Sequence, residues 1–194
     1  MKNKCGWCLG DPLYESYHDG EWGVPLYDDK LLFEFLTLET FQAGLSWITV
    51  LRKRENFRKA FDDFDYEKVA SYDESRLEAL MQDAGIIRNR LKIKAAITNA
   101  QAFIQVREDF GSFSDYIWGF TDGKPLQNRL EDYRKAPANT PLSDTLSKDL
   151  KKRGFKFVGT TVVYAHMQAT GMVNDHEVGC FRYEEVKQLA EKLR

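Results

Sequence analysis

Cysteine, histidine and proline are all scarce in this chain: three, three and five among 194 residues. An odd, low cysteine count excludes the disulfide framework of a small secreted protein. No apolar run approaches the roughly 20 residues that cross a bilayer, and the N-terminus lacks a basic-then-apolar leader. The chain therefore reads as cytoplasmic, with no membrane partner. A dominant charge is missing too, since 28 lysines and arginines face 30 aspartates and glutamates, a net charge of −2. A nucleic-acid partner would have to be held by a local basic patch, not by the field of the whole molecule.

What is present describes an ordinary globular protein, 43% hydrophobic and 30% charged, with a generous 13% of aromatic residues for stacking. The length fits one domain, residues 1–194, burying about 70% of the surface its unfolded chain exposes.

The stretch Leu38–Trp47 breaks the pattern of a core helix. Leu32, Phe35, Leu36, Ala43 and Val50 share one helical face, and so do Glu39, Gln42 and Ser46. A carboxylate inside an apolar stripe needs a partner or a purpose, because burying an unpaired charge is costly. Gly44 is expected to end the first helix in a left-handed turn and Ser46 to cap the next. Glu39 and Trp47 then flank a helix junction, as a pocket floor would. The competing reading is a structural glutamate paired with an arginine or a backbone amide.

Along the chain, residues 1–27 show no sustained period and read as an ordered aromatic segment lying across the core. Asp28 or Asp29 caps the helix that carries Glu39. Helices are expected over Tyr66–Ser71, Glu74–Ala84 (capped by Asp73), Arg90–Phe110, Ser112–Phe120, Asp144–Arg153 (capped by Ser143), Thr160 or Thr161 to Thr170, and Glu184–Leu193. Residues 121–142, with Pro125, Pro137 and Pro141, read as a surface loop long enough to be functional. No segment reads as a convincing strand, so the fold class is all-α.

Leu80–Arg88 and Leu150–Val158 share one plan: a helix, a glycine, a short hydrophobic link, a second helix. Such a hairpin presents backbone N–H groups at the start of its second helix, where a phosphate can sit. Basic residues flank both copies: Arg88, Arg90, Lys92 and Lys94 in the first, and Lys148, Lys151, Lys152, Arg153 and Lys156 in the second. Any one of these lysines fits a solvated helix face; two basic hairpins in a chain of negative charge point to local DNA-backbone contact.

Cys5, Cys8, His18, His176 and Cys180 are all the cysteines and two of the histidines. His176 and Cys180 are close enough in sequence to share one ion, and a Cys2His2 set would make a closed, structural zinc site tying the N-terminal segment to residues 174–180. Cys8 can stand in for Cys5 as ligand. Cys5-Gly6-Trp7-Cys8 also has the form of a redox motif, but only four residues precede it, too few for the strand such motifs follow. His166, in an apolar helix, reads as a core or surface residue.

With these residues in view, the chain resembles the 3-methyladenine DNA glycosylase I family of helix-hairpin-helix repair enzymes. The resemblance rests on Cys5-Gly6-Trp7, Asp11-Pro12-Leu13-Tyr14, Tyr17-His18-Asp19 and Glu21-Trp22-Gly23-Val24-Pro25. It continues through Leu38-Glu39, the run Gln42–Leu51 and the run Gln82–Arg88, then Lys151–Thr161, Asn174-Asp175-His176 and Gly179-Cys180. It implies a zinc ion held by Cys5, His18, His176 and Cys180. It implies an extruded base recognised by Glu39 and Tyr17, stacked on Trp47 and enclosed by Trp7, Tyr14 and Trp22. The reaction implied is hydrolysis of the N-glycosidic bond of 3-methyladenine in double-stranded DNA, releasing the free base and leaving an abasic site, with the enzyme acting as a monomer. A non-catalytic damage binder and a thiol oxidoreductase are the alternatives. Two residues depart from the family pattern: Cys8 is an extra thiol, and Phe41 is read as an apolar replacement in the pocket wall.

Overall fold

The computed structural model describes residues 3–192. Among them run eleven α-helices: α1 (Pro12–Gly20), α2 (Asp29–Gln42), α3 (Trp47–Arg52), α4 (Arg54–Ala60), α5 (Tyr66–Ala70), α6 (Glu74–Gln82), α7 (Arg90–Phe110), α8 (Phe113–Trp118), α9 (Pro141–Lys152), α10 (Thr160–Ala169) and α11 (Phe181–Lys192). The fold is all-α, and no described helix is long and apolar enough to cross a membrane.

The architecture is organised around α2, whose residues from Leu32 to Phe41 are all buried. A helix apolar on every side belongs inside a core, and α2 packs against α3, α7, α8 and α10. Phe33 meets Phe103 of α7 at 5.2 Å, and Phe41 meets Phe57 of α4 edge-to-face at 4.8 Å. Phe41 is thus a core residue and not the altered pocket wall the sequence suggested.

Side chains fix both ends of α2. Asp28 accepts the Leu31 N–H at 2.9 Å. Asp29 is no cap of its own helix: it accepts the backbone N–H groups of Phe113 and Ser114 and pairs with Arg107 at 2.8 Å, which docks α8 and α7 on the start of α2. At the other end the buried Lys92 ammonium donates to the carbonyls of Phe41 (2.8 Å) and Ala43 (2.5 Å). A cation on the last carbonyls satisfies groups the helix leaves open and complements its dipole. Gly44, at φ +80°, then turns the chain. Ser46 occupies the N-cap position of α3 but bonds the Thr49 hydroxyl at 2.7 Å and not a backbone N–H.

Glu34, also buried, is neutralised by two guanidinium groups: Arg54 at 2.6 Å and Arg58 at 2.9 Å. Arg54 reaches on to Glu21 at 2.7 Å and lies 5.0 Å over the Phe35 ring, joining the end of α1 to α2 and α4.

The structure corrects several expectations. Residues 1–27 contain a helix, α1, started by Pro12 at its first position and by Asp11, which accepts the N–H groups of Leu13 and Tyr14; Asp-Pro was a legible start signal. Helix α6 stops at Gln82, because Asp83 turns away and accepts the Gly85 N–H at 2.7 Å. Helix α9 begins at Pro141, with Thr140 as N-cap and Ser143 as the reciprocal member of a capping box. Helix α11 starts at Phe181, and its expected end at Leu193 lies outside the described residues. There is also a strand pair. In the loop after α8, β1 (Leu126–Gln127) runs parallel to β2 (Val173–Asn174), followed by a bridge between Leu130 and Glu177. Residues 126–130 are thereby pinned to the segment that precedes α11.

Replacing Arg54 by Ala leaves a buried carboxylate short of its closest partner and is expected to lower unfolding stability by about 2–4 kcal/mol in urea denaturation. Lys30→Ala, which breaks the exposed pair with Asp63, is expected to change it by no more than about 1 kcal/mol.

Candidate functional site

Three helices each contribute a pair of side chains three residues apart, hence on one face, to a single cavity of about 240 Å³: Tyr14 and Tyr17 from α1, Glu39 and Gln42 from α2, Ala165 and Gln168 from α10. Trp47, first residue of α3, is brought back to the same hollow by the Gly44 turn. Trp7 and Trp22 complete the aromatic wall; Trp7 sits edge-on to Tyr14 at 4.8 Å and to Trp22 at 4.9 Å, and Tyr17 tilts against Trp47 at 5.7 Å. The six residues singled out in the sequence (Glu39, Tyr17, Trp47, Trp7, Trp22 and Tyr14) are thus brought together. Leu130, Tyr133 and Ala136, from the loop pinned by the strand pair, also line the cavity, as does Asp175. In the sequence the loop's length and its three prolines mark it as a functional candidate, but no residue within it is singled out, and Asp175 enters only as a neighbour of His176.

Among the described residues, no lysine, arginine or histidine lines the cavity. Glu39 is 3% exposed and has no hydrogen-bond or ion-pair partner among the described residues, unlike Glu34 on the same helix. Burial alone pushes its carboxyl up to about 8, so it stays largely protonated at neutral pH. The Tyr17 hydroxyl is held well above its ordinary value by burial and by the Glu39 charge; burial chiefly lifts Tyr14 to about 12. Both phenols therefore stay neutral and able to donate. The indole N–H groups of Trp7 and Trp47 are buried without an acceptor. An unpaired acid beside aromatic faces suits a flat ligand carrying positive charge.

Beside the cavity, Cys5, His18, His176 and Cys180 bring one ligand atom each to within 4.8 Å of one another, all buried. Cys5 Sγ lies 3.6 Å from His176 Nδ1, and Cys180 Sγ lies 3.5 Å from His18 Nε2 and 3.9 Å from His176 Nδ1. A tetrahedral ion with bonds of about 2.0–2.3 Å needs ligand separations of about 3.3–3.8 Å, and these three sulfur–nitrogen separations lie close to that range. The far nitrogens are also engaged as metal-bound histidines require: His18 Nδ1 donates to Asp19 at 2.8 Å, and His176 Nε2 donates to the Trp22 carbonyl at 2.9 Å. This is a cluster able to hold a metal ion. Its rings bear directly on the aromatic wall, with His176 edge-on to Trp22 at 4.7 Å and His18 to Trp7 at 5.4 Å.

Cys8 stands outside the cluster. Its thiol donates to the Cys5 carbonyl at 3.2 Å, and burial pushes it up to about 11, so it neither replaces Cys5 as a ligand nor offers a reactive thiolate. His166 is fully buried with both ring nitrogens unpartnered, and burial lowers it to about 3. It is a neutral core residue.

The basic hairpins are only partly available to a ligand. In α6–α7, Lys92 is spent on the end of α2 and Arg90 on Glu74 and Glu78. In α9–α10, Arg153 pairs with Asp149 and stacks over Phe110. Arg88, Lys94, Lys148, Lys151, Lys152 and Lys156 are exposed. Buried Asn99 grips the second hairpin from both sides, accepting the Lys156 N–H at 2.7 Å and donating to its carbonyl at 3.1 Å. That grip holds Phe157 at φ +55°, a conformation rare for a bulky residue. The helix that follows starts at Gly159 with no side-chain cap, so its first N–H groups are left open.

The sequence model of the methyladenine glycosylase family matches residues 7–183. The DNA-3-methyladenine glycosylase 1 of Escherichia coli is 55% identical over 180 residues, 93% of this chain and 96% of that protein. The DNA-3-methyladenine glycosylase of Haemophilus influenzae is 47% identical over 93% of this chain and 97% of its own. Among solved structures, the 3-methyladenine DNA glycosylase I of Staphylococcus aureus, described for its recognition of 3-methyladenine, superposes with a TM-score of 0.90 at 39% identity, covering 93% of this chain and 96% of that one. The family model matched over residues 7–183, and a fold shared along nearly the whole chain with these proteins, place it in the methyladenine glycosylase family.

Proposed function

We propose that the cavity receives a methylated adenine swung out of double-stranded DNA. The chain is a DNA-3-methyladenine glycosylase: it hydrolyses the N-glycosidic bond of the damaged nucleotide. The observation that carries the reading of the site is Glu39, a buried acid without a counter-charge, beside Trp47 in a cavity free of basic residues.

Methylation at N3 leaves the base in DNA positively charged, which weakens its bond to the sugar. When that bond breaks, its electron pair goes to the departing purine and cancels the charge. Water then adds to the sugar carbon and loses a proton, leaving an abasic site. Little acid catalysis is needed; extrusion and selection are what the protein must supply. A cation entering the cavity supplies the partner Glu39 lacks, favours release of its proton, and binds the resulting carboxylate. Stacking on Trp47 adds about 0.5–2 kcal/mol of cation–π attraction. At about 1.4 kcal/mol per decade, two such contacts give selectivity of about fivefold to several-hundred-fold. Tyr17 and Tyr14, neutral and able to donate, orient the ring between the indoles. Among the described residues no lysine lines the cavity, so none offers an amine for a Schiff base, which supports a monofunctional hydrolase.

The exposed lysines of the α9–α10 hairpin, with the open N–H groups that start α10, suit a DNA phosphate and support a helix-hairpin-helix role for that segment. Zinc is the ion we assign to the Cys5, His18, His176 and Cys180 cluster, on the mixed sulfur–nitrogen donor set and its tetrahedral spacing. Four protein ligands leave no open position, so the ion is structural and takes no part in the reaction. Free, buried thiols suit the reducing cytoplasm.

Glu39→Gln is expected to lose most release of free base from methylated DNA, measured by chromatography of the released purines, and most binding of free 3-methyladenine; undiminished release removes the assignment. The same variant tests the burial of the acid. Folding raises this carboxyl from 4.5 to about 8, so between those pH values the native state holds a proton the unfolded chain has lost. Wild-type stability then falls across that window, by several kcal/mol at most. Glutamine has no such term, so the melting temperature of Glu39→Gln relative to wild type should rise steadily from pH 5 to about pH 8.5; a pH-independent difference contradicts the buried acid. For the metal, chelation is expected to release one zinc per chain, shift tryptophan fluorescence through Trp7 and Trp22, and lower the melting temperature by about 10 °C or more. A stripped protein with unchanged melting rules the structural ion out.

A further inference from the structure

Glu39 shares its cavity with a second buried acid. Asp175 is 3% exposed and lines the same hollow, yet its surroundings are the opposite of those of Glu39. The Tyr164 hydroxyl donates to its Oδ2 at 2.6 Å, the Gln168 amide to the same oxygen at 2.8 Å, and the Asn128 amide to Oδ1 at 2.7 Å. Three donors in a dry site take the place of water around a carboxylate. Nothing basic on the cavity offsets that charge.

We propose that Asp175 is a specificity-determining residue for the glycosylase reaction, a standing negative charge that makes the cavity favour a positively charged nucleotide over a neutral one. The inference rests on the reading of this cavity as the receptor for the extruded base. Glu39 responds to the ligand, because it has no partner until one arrives; Asp175 is solvated in advance and needs no rearrangement when the cation enters. Preorganised charge of this kind also favours the positive character that develops on the sugar as the base departs.

A purely architectural role is the alternative, since Asn128 lies next to β1 and its bond to Asp175 helps hold the loop that carries Leu130 and Tyr133. Two variants separate the readings. Asp175→Asn keeps the size and one accepting oxygen but removes the charge; Asn128→Ala cuts the loop tether and keeps the charge. The readout is the ratio of affinities for two duplexes, one with a cationic pyrrolidine analogue of an abasic site and one with its neutral tetrahydrofuran counterpart, in zinc-replete protein. Asp175→Asn is expected to lower the cation-to-neutral ratio by roughly ten- to a hundredfold, with a matching loss of base release from methylated DNA, while Asn128→Ala leaves the ratio within about twofold. An unchanged ratio in Asp175→Asn, or an equal fall in Asn128→Ala, overturns the proposal. Should Asp175→Asn fail to fold with its zinc, Tyr164→Phe removes one donor from outside the cavity and is expected to lower the ratio by about threefold; no change there overturns it equally. Glu39→Gln keeps the two conclusions apart. If it abolishes base release while Asp175→Asn keeps the ratio, only this inference fails; if it leaves release intact, the reading of the cavity itself fails.

Discussion

An acid without a counter-charge in the middle of a core helix is the constraint on which the rest of this structure depends. Helix α2 contains two buried glutamates, and the fold treats them oppositely. Glu34 has two guanidinium groups within hydrogen-bonding distance, one of which also bridges to α1. Glu39 is left with a hollow, and its carboxyl takes up a proton instead of a partner. A helix that must tolerate this cannot fray, and its ends are accordingly overdetermined: Asp28 and Asp29 at the start, and at the finish a buried lysine from α7 that serves two carbonyls. Lys92 also couples the first basic hairpin to the floor of the cavity through a single side chain.

The cluster of Cys5, His18, His176 and Cys180 solves a different problem. Trp7, in the single 3-10 turn Gly6–Cys8, and Trp22, in a turn, flank α1, and their indoles take support from outside the segment. The two histidines of the cluster supply it by ring contact, and His176 adds a hydrogen bond to the Trp22 backbone. Glu177, between His176 and Cys180, extends the same support, accepting the Gly6 N–H at 3.3 Å and the Tyr133 N–H at 2.8 Å. An added Cβ at Gly6 would lie 2.7 Å from the Tyr133 ring, so only glycine lets the two strands of chain approach.

Much of this was legible in the residues because it follows from local chemistry. The all-α class, the run of helices around Glu39, the hinge at Gly44 and the Cys2His2 grouping all rest on periodicity, glycine position or ligand type. The resemblance carried Tyr17, Tyr14, Trp7 and Trp22, which pattern alone did not single out for one place. What escaped is nonlocal. The two-residue strands are too short to have a period, and they form only because Val173 and Asn174 happen to lie alongside Leu126 and Gln127. The fate of each basic residue was equally hidden: Lys92 and Arg153 look in sequence like phosphate ligands, and only tertiary packing shows their charges engaged elsewhere. The start of α1 was missed although Asp11-Pro12 announced it, because the aromatic residues around it obscured its amphipathic spacing.

The loop pinned by those short strands has a consequence for how the molecule comes into being. The walls of the hollow are drawn from residues 7–22, 39–47, 130–136 and 165–175, and the cysteine that closes the metal cluster is Cys180. Contacts so distant along the chain form late in folding, so a partly synthesised polypeptide has Glu39 and Trp47 but no enclosure around them. The hollow therefore closes only once the chain has been made through residue 175, and the Cys5, His18, His176 and Cys180 cluster only once it reaches residue 180.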